Sequence, residues 1–164
     1  MKNTFIKLFY KLKDFFPPKA SCPTRLSALK TFALIFNTEI ITDINGNSFG
    51  VLSGEYGDFN YEVNDKTEFE AVNNHIHILD NISKAELGEL KDISMDLCKC
   101  IQYTLQTKYP DKQFYVYATA SEHDSFILRF HQSWNNERPY YSPDFTYEDD
   151  LVIILPPNNA KKSN

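Results

Sequence analysis

The sequence predicts a single α+β domain in which a mainly antiparallel sheet packs against one long helix. The chain has 164 residues, enough for one domain with a real core and too few for two ordinary domains. Its 13 Phe and 10 Tyr supply the apolar area that a disordered chain lacks. Strand-like runs outnumber helical runs and do not alternate regularly with them, which is typical of the α+β class.

The first segment, residues 1–18, reads as a basic amphipathic helix. Pro17 and Pro18 end it, and lysines interrupt every apolar run, so neither a signal peptide nor a transmembrane span is expected. Three roles remain open for residues 5–16: packing on the domain, lying on an anionic membrane surface, or docking on a partner. The apolar stripe consists of Phe5, Leu8, Phe9, Leu12, Phe15 and Phe16.

The main domain is expected over residues 24–157, with a frayed tail at 158–164. Residues 24–36 fit a second helix, although 31–36 also fit a buried strand. Within 38–63, Asn45-Gly46 is a strong hairpin signal between short apolar runs. The alternation that follows predicts that residues 68–80 continue the sheet.

The clearest helix covers residues 83–108. Ser83 and Glu86 match a capping box, and leucines and isoleucines recur at helical spacing behind them. Two strands, 114–120 and 125–131, follow as a hairpin with a four-residue loop. Residues 150–155 predict a last, well-buried strand.

Alternation assigns the faces of that hairpin. One face should enter the core, and the other should point away from it. The core side comprises Phe114, Val116, Ala118, Phe126, Leu128 and Phe130, and the opposite side Tyr115, Tyr117, Arg129 and His131.

Charge is distributed unevenly along the chain. Residues 1–30 contain seven basic side chains and one acidic one, whereas the remainder contains 10 basic and 21 acidic side chains. A body this acidic repels nucleic acid and favours a basic protein partner. We therefore expect no nucleic-acid ligand.

Motifs for metal binding or catalysis are weak. His75 and His77 lie about 7 Å apart on one strand face but lack a third ligand in the pattern. Cys98 and Cys100 diverge by about 200° on a helix, so they form neither a metal pair nor a disulfide. The run SEHDS at 121–125 fits a turn better than a catalytic triad. We expect no catalytic residue, metal or cofactor, and a reducing cytoplasm for a chain without a disulfide framework.

Residues 129–150 combine aromatic and charged side chains in a loop-like stretch. Trp, Tyr and Arg are enriched at the energetic centres of protein interfaces, and nearby acids provide a negative field. The alternatives are that the aromatic side chains fold back over the core, or that they line a groove for a sugar or another small molecule. The candidate partner-binding residues are Arg129, His131, Trp134, Glu137, Arg138, Tyr140, Tyr141, Asp144, Glu148, Asp149 and Asp150.

In size, acidity and lack of a catalytic motif, the chain resembles the small immunity proteins that bacteria place beside polymorphic or contact-delivered toxins. The resemblance implies a cytoplasmic inhibitor that binds a basic toxin domain, often a nuclease, and occludes it. Two other functions remain open: a peripheral membrane or assembly protein that uses residues 5–16, and a small hydrolase with a His-based site. The oligomeric state does not follow from the sequence.

Overall fold

A computed structural model describes residues 37–52, 62–142 and 144–158. The described part of the chain is α+β, as predicted, with two sheets and two helices. The predicted helices at 5–16 and 24–36 lie outside the described residues, as do positions 159–164 of the predicted tail. The elements are β1 (Thr38–Thr42), β2 (Ser48–Leu52), α1 (Lys66–Asn73), β3 (His75–Leu79), α2 (Lys84–Lys108), β4 (Phe114–Ala120), β5 (Phe126–Gln132) and β6 (Leu151–Leu155).

The larger sheet has the strand order β3-β5-β4-β6, and all its pairings are antiparallel. Helix α2 packs on one face and begins at the predicted capping box: Ser83 accepts from the Glu86 backbone N–H, and the Glu86 carboxylate accepts from the Ser83 N–H. The core-facing residues of β4 and β5 are those that alternation predicts. The sheet contributes Phe114, Val116, Ala118, Phe126, Leu128 and Phe130 to this core, and α2 contributes Leu87, Leu90, Leu97, Ile101 and Leu105.

Strands β1 and β2 form a separate two-stranded sheet. Its turn lies at the predicted Asn45-Gly46, where Gly46 has a φ of +80°, a conformation that glycine adopts without steric cost. The Asp43 carboxylate accepts from the backbone N–H groups of Asn45 and Asn47 at 2.9 and 2.8 Å. These bonds close the turn.

The structure corrects three details of the sequence interpretation. Residues 66–73 form a helix rather than part of a strand region, because Asp65 caps the first turn by accepting from the Glu68 N–H. The loop between β4 and β5 has five residues, 121–125, instead of four. Strand β6 is mostly half-buried, with only Leu151 fully buried, because it is an edge strand.

Polar side chains join one edge of the small sheet to the rest of the domain, beside the apolar contacts of Phe49 with Phe69 and Trp134. Asn74 is fully buried; its amide oxygen accepts from the Leu52 N–H at 2.9 Å, and its amide nitrogen donates to the Gly50 carbonyl at 2.8 Å. The Ser48 carbonyl accepts from the side chains of Gln132 and Lys112. These contacts satisfy the backbone groups on the edge of β2 that does not face β1.

Candidate partner-binding surface

The 129–150 segment begins on β5 and then crosses the face of the large sheet that is opposite α2. Alternation places Tyr117 and His131 on this outer face, and both are buried because the segment covers them. The ring of Tyr141 lies 5.4 Å from that of Tyr117 in an edge-on arrangement. The segment therefore has an inner, anchoring side and an outer side that faces solvent.

His131 lies in the buried layer. Its Nε2 atom accepts from the Tyr117 hydroxyl at 2.7 Å and the Tyr140 N–H at 3.2 Å, so the proton resides on Nδ1 and is donated to the Gln132 carbonyl. Burial lowers the pKa of His131 from 6.5 to about 4. The imidazole is thus neutral and serves to hold the segment on the sheet.

Arg129 stacks on the tyrosines above the sheet. Its guanidinium carbon lies 4.7 Å from the ring centre of Tyr140 and 6.0 Å from that of Tyr141. Tyr141 also packs edge-on against Tyr147, whose hydroxyl donates to the Ser142 carbonyl at 2.8 Å. This stacking fixes the rings in the middle of the segment.

Glu137 connects the segment to the start of α1. Its carboxylate accepts from the Thr67 N–H at 2.7 Å and the Lys66 ammonium at 3.2 Å. Partial burial opposes ionisation, but the hydrogen bonds from Thr67 and Lys66 prevail and lower the pKa of Glu137. The charged form also suits the positive end of the helix dipole.

Trp134 turns inward as well. Its ring is half-buried, lies 5.3 Å from the ring of Phe49 on β2, and has the Lys66 ammonium 5.6 Å from its centre. Its Nε1–H donates to the carboxylate of Glu70 at 3.0 Å. Trp134 therefore belongs to the small apolar cluster between β2 and α1.

Other members of the segment face solvent. Phe145 is 63% exposed and Tyr140 is 36% exposed. Asp149 is half-buried and accepts from the Ser121 hydroxyl, while Asp150 accepts from the Glu122 N–H at 2.9 Å, which ties the end of the segment to the loop between β4 and β5. The candidate residues that face solvent are Arg138, Tyr140, Asp144, Glu148 and Asp150.

Sequence reasoning missed two residues of this region. Phe145 lacks any periodic context, yet a large apolar residue in a Pro- and Asp-rich stretch is itself a signal of surface exposure or partner contact. Glu70 was hidden because residues 68–80 were interpreted as strand. In the structure Glu70 is fully buried and accepts four hydrogen bonds from N–H groups.

The predicted histidine pair is exposed on β3, with the rings of His75 and His77 5.5 Å apart. His77 Nδ1 lies 3.5 Å from Asp80, and the Ser125 hydroxyl donates to Asp80 at 2.8 Å. In a serine triad the imidazole lies between serine and carboxylate, whereas here the carboxylate lies between the other two. Across the described ranges, no group of three or more His, Cys, Asp or Glu side chains could hold a metal ion.

The two helix cysteines have different environments. Cys98 is buried and Cys100 is half-buried on α2. Burial raises the pKa of Cys98 to about 12 and, together with the nearby Asp96 carboxylate, raises the pKa of Cys100. Neither environment stabilises a reactive thiolate.

Comparison with protein-family models, curated proteins and solved structures gives no match for this chain. Neither described helix is long and apolar enough to cross a membrane.

Proposed function

We propose that this chain is a non-catalytic, cytoplasmic inhibitor of the immunity type, which occludes a basic toxin domain with its 129–150 segment. The observation that carries the proposal is that Phe145 and Tyr140 are exposed among exposed acidic side chains, on a segment whose inner side is packed on the large sheet. The resemblance in size and acidity implies a nuclease as one class of toxin. The membrane alternative depends on residues 5–16, which lie outside the described residues.

Electrostatics favours a basic partner. The whole chain has a formal net charge of −5, and Asp144 and Glu148 add exposed negative charge on either side of Phe145. Opposite charge on a partner raises the rate of association and determines which partners are excluded. A nuclease domain, which must attract phosphate, presents such a basic surface.

Preorganisation favours tight binding. Tyr140 is held in place before any partner binds, because its ring stacks on Arg129 and its backbone N–H donates to His131. The backbone N–H of Phe145 donates to the Ser142 carbonyl at 3.2 Å. A surface that is already ordered loses less conformational entropy on binding.

The hydrolase alternative has less support from geometry. His131 is buried beneath the segment and neutral. Ser125 donates to Asp80 and has no imidazole positioned to accept its proton. We therefore give no catalytic role to these residues.

The experiment begins with capture of a partner from cells of the source organism on the immobilised chain, followed by purification of the captured domain. Binding kinetics are then measured at two salt concentrations. Phe145→Ala should weaken binding by about 2–4 kcal/mol, mainly through faster dissociation. Reversal of Asp144 and Glu148 to Lys should slow association about tenfold at low salt and reduce its dependence on salt.

Helix α2, on the opposite side of the large sheet, provides matched controls. Tyr103 is 60% exposed there, so Tyr103→Ala removes an exposed aromatic ring outside the proposed interface. Glu89→Lys with Asp92→Lys reverses two exposed charges on the same helix. Variants of the 129–150 segment that bind no worse than these controls, or a captured partner with an acidic surface, would refute the proposal.

A further inference from the structure

Glu70 occupies an unusual position for a carboxylate. It lies on α1, is fully buried, and accepts from groups outside that helix. One oxygen accepts from the Gly50 N–H at 2.8 Å and the Gln132 side-chain amide at 2.5 Å. The other accepts from the Gln132 N–H at 2.6 Å and the Trp134 indole N–H at 3.0 Å.

These four bonds join three parts of the fold. Gly50 belongs to β2, Gln132 ends β5, and Trp134 follows it within the 129–150 segment. All four partners donate, so the arrangement fits an ionised carboxylate, which accepts at both oxygens. The bond from Trp134 is the longest and comes from a half-buried side chain, whereas two of the others come from backbone N–H groups of strands.

Among the residues that the structure describes, few charged side chains lie near Glu70. Strand β2 contributes no ionisable side chain. The Lys112 ammonium donates to the Gln132 amide oxygen at 2.7 Å and therefore acts on Glu70 through that amide. Lys66 and Glu137 pair with each other near the ring of Trp134. No described Lys or Arg forms a direct salt bridge with Glu70.

We propose that Glu70 is the positioning residue of the partner-binding surface: its carboxylate holds the Trp134 indole, and protonation of that carboxylate releases it. The effect on partner binding rests on the proposed function, whereas the effect on Trp134 is a property of the chain alone. A protonated Glu70 would direct an O–H donor towards N–H groups that are themselves donors. Of these N–H groups, the Trp134 indole can move away, because it belongs to a side chain and not to the backbone of a strand. The start of the 129–150 segment would then be held by fewer bonds.

The change falls in a physiological range of pH. Removal from water raises the pKa of Glu70 from 4.5 to about 7, while the hydrogen bonds from Gln132, Gly50 and Trp134 act in the opposite direction. Protonation would therefore loosen Trp134 as the pH falls through neutrality.

Trp134 is the single tryptophan of the chain, so its indole N–H resonance and its fluorescence report on this contact without ambiguity. In the full chain, the indole resonance should titrate as one proton with a midpoint near pH 7. Glu70→Gln should abolish the titration, because an amide does not ionise. Glu68→Gln, which changes an exposed residue on the same helix, should retain it.

Two further measurements complete the test. Replacing both exposed histidines of β3, His75 and His77, by Asn should leave the midpoint unchanged, which separates carboxyl from imidazole titration. Should Glu70→Gln not fold, the Glu70 carboxyl carbon can be titrated by NMR in the parent chain and in Trp134→Phe. Loss of one donor to the ionised form should raise that midpoint by roughly 0.5–1 pH unit.

An indole signal that stays constant between pH 5.5 and 8.5, a titration that persists in Glu70→Gln, or a carboxyl midpoint unmoved by Trp134→Phe would overturn the inference. With the captured basic partner, affinity should fall as pH decreases through the same midpoint in the parent chain but not in Glu70→Gln. Failure to bind any basic partner while the indole titrates would remove the proposed function and leave the role of Glu70 towards Trp134 intact.

Discussion

Asn74 offers the most direct test of how the small sheet is held. Asn74→Ala removes an amide that is fully buried and bonds both the Leu52 N–H and the Gly50 carbonyl. Both groups lie on the edge of β2 that β1 does not pair with. The substitution therefore leaves the Gly50 carbonyl without its side-chain partner in a buried position and the Leu52 N–H without its partner in a partly buried one.

The expected cost follows from those two groups. Leaving a buried donor or acceptor unsatisfied costs about 1–3 kcal/mol, so Asn74→Ala should lower the free energy of unfolding by about 2–6 kcal/mol. That is a large part of the 5–15 kcal/mol that is typical of a whole domain. Amide hydrogen exchange at Leu52 should accelerate, because its N–H loses its acceptor.

The assay is urea unfolding of the parent, Asn74→Ala and the neighbouring Asn73→Ala. Asn73 is half-buried and donates to the Phe69 carbonyl within its own helix, so its removal should cost about 1 kcal/mol or less. Equal destabilisation by the two variants would refute the reasoning, since it would show that water replaces the Asn74 amide at little cost.

Burial raises the pKa of Glu70 from 4.5 to about 7, so between these two pH values the folded state keeps a proton that the unfolded chain loses. The free energy of unfolding should therefore fall by about 3 kcal/mol as pH rises from 4.5 to about 7. Burial lowers the pKa of His131 from 6.5 to about 4, so its contribution to stability should fall as pH decreases over that range. Urea unfolding of Glu70→Gln at several pH values should show this acid loss without the contribution of Glu70. Ser83→Ala should cost about 1 kcal/mol in urea unfolding through loss of the α2 cap, and a cost near zero would show that the cap is dispensable. Iodoacetamide at pH 8, followed by peptide mapping, should label half-buried Cys100 before buried Cys98, and the reverse order would contradict the burial of Cys98.

The elements that the sequence predicts well are those whose cap, turn or periodic pattern lies within the element's own residues. Helix α2 has a capping box and a stripe that spans many turns, and the β1–β2 turn has Asn45-Gly46. Helix α1 has only eight residues, too few for helical periodicity to stand out, and the clear alternation of His75 to Leu79 follows almost directly. Its cap at Asp65 was the local signal that could have separated helix from strand.

For the candidate surface, the sequence could not predict the orientation of individual side chains. Residue types in 129–150 led to the prediction of a partner-binding segment, which stays a prediction, and they did not indicate which side chains turn inward. Trp134 turns inward because the carboxylate of Glu70, from another part of the chain, accepts a hydrogen bond from its indole N–H. Glu137 turns inward because the backbone N–H of Thr67 donates to its carboxylate. Such pairings across more than sixty positions depend on the fold, so composition alone could not separate anchors from exposed contacts.

The polar joint between the two sheets also bears on association between copies of the chain. An unpaired strand edge can template hydrogen bonding to a strand of another molecule and so begin aggregation. On β2, the side chains of Glu70, Asn74 and Gln132 occupy the groups through which such a strand would pair. The same contacts that fasten the hairpin therefore close this edge to strand addition, and a chain that lost them would expose an aggregation-prone strand as well as a weaker joint.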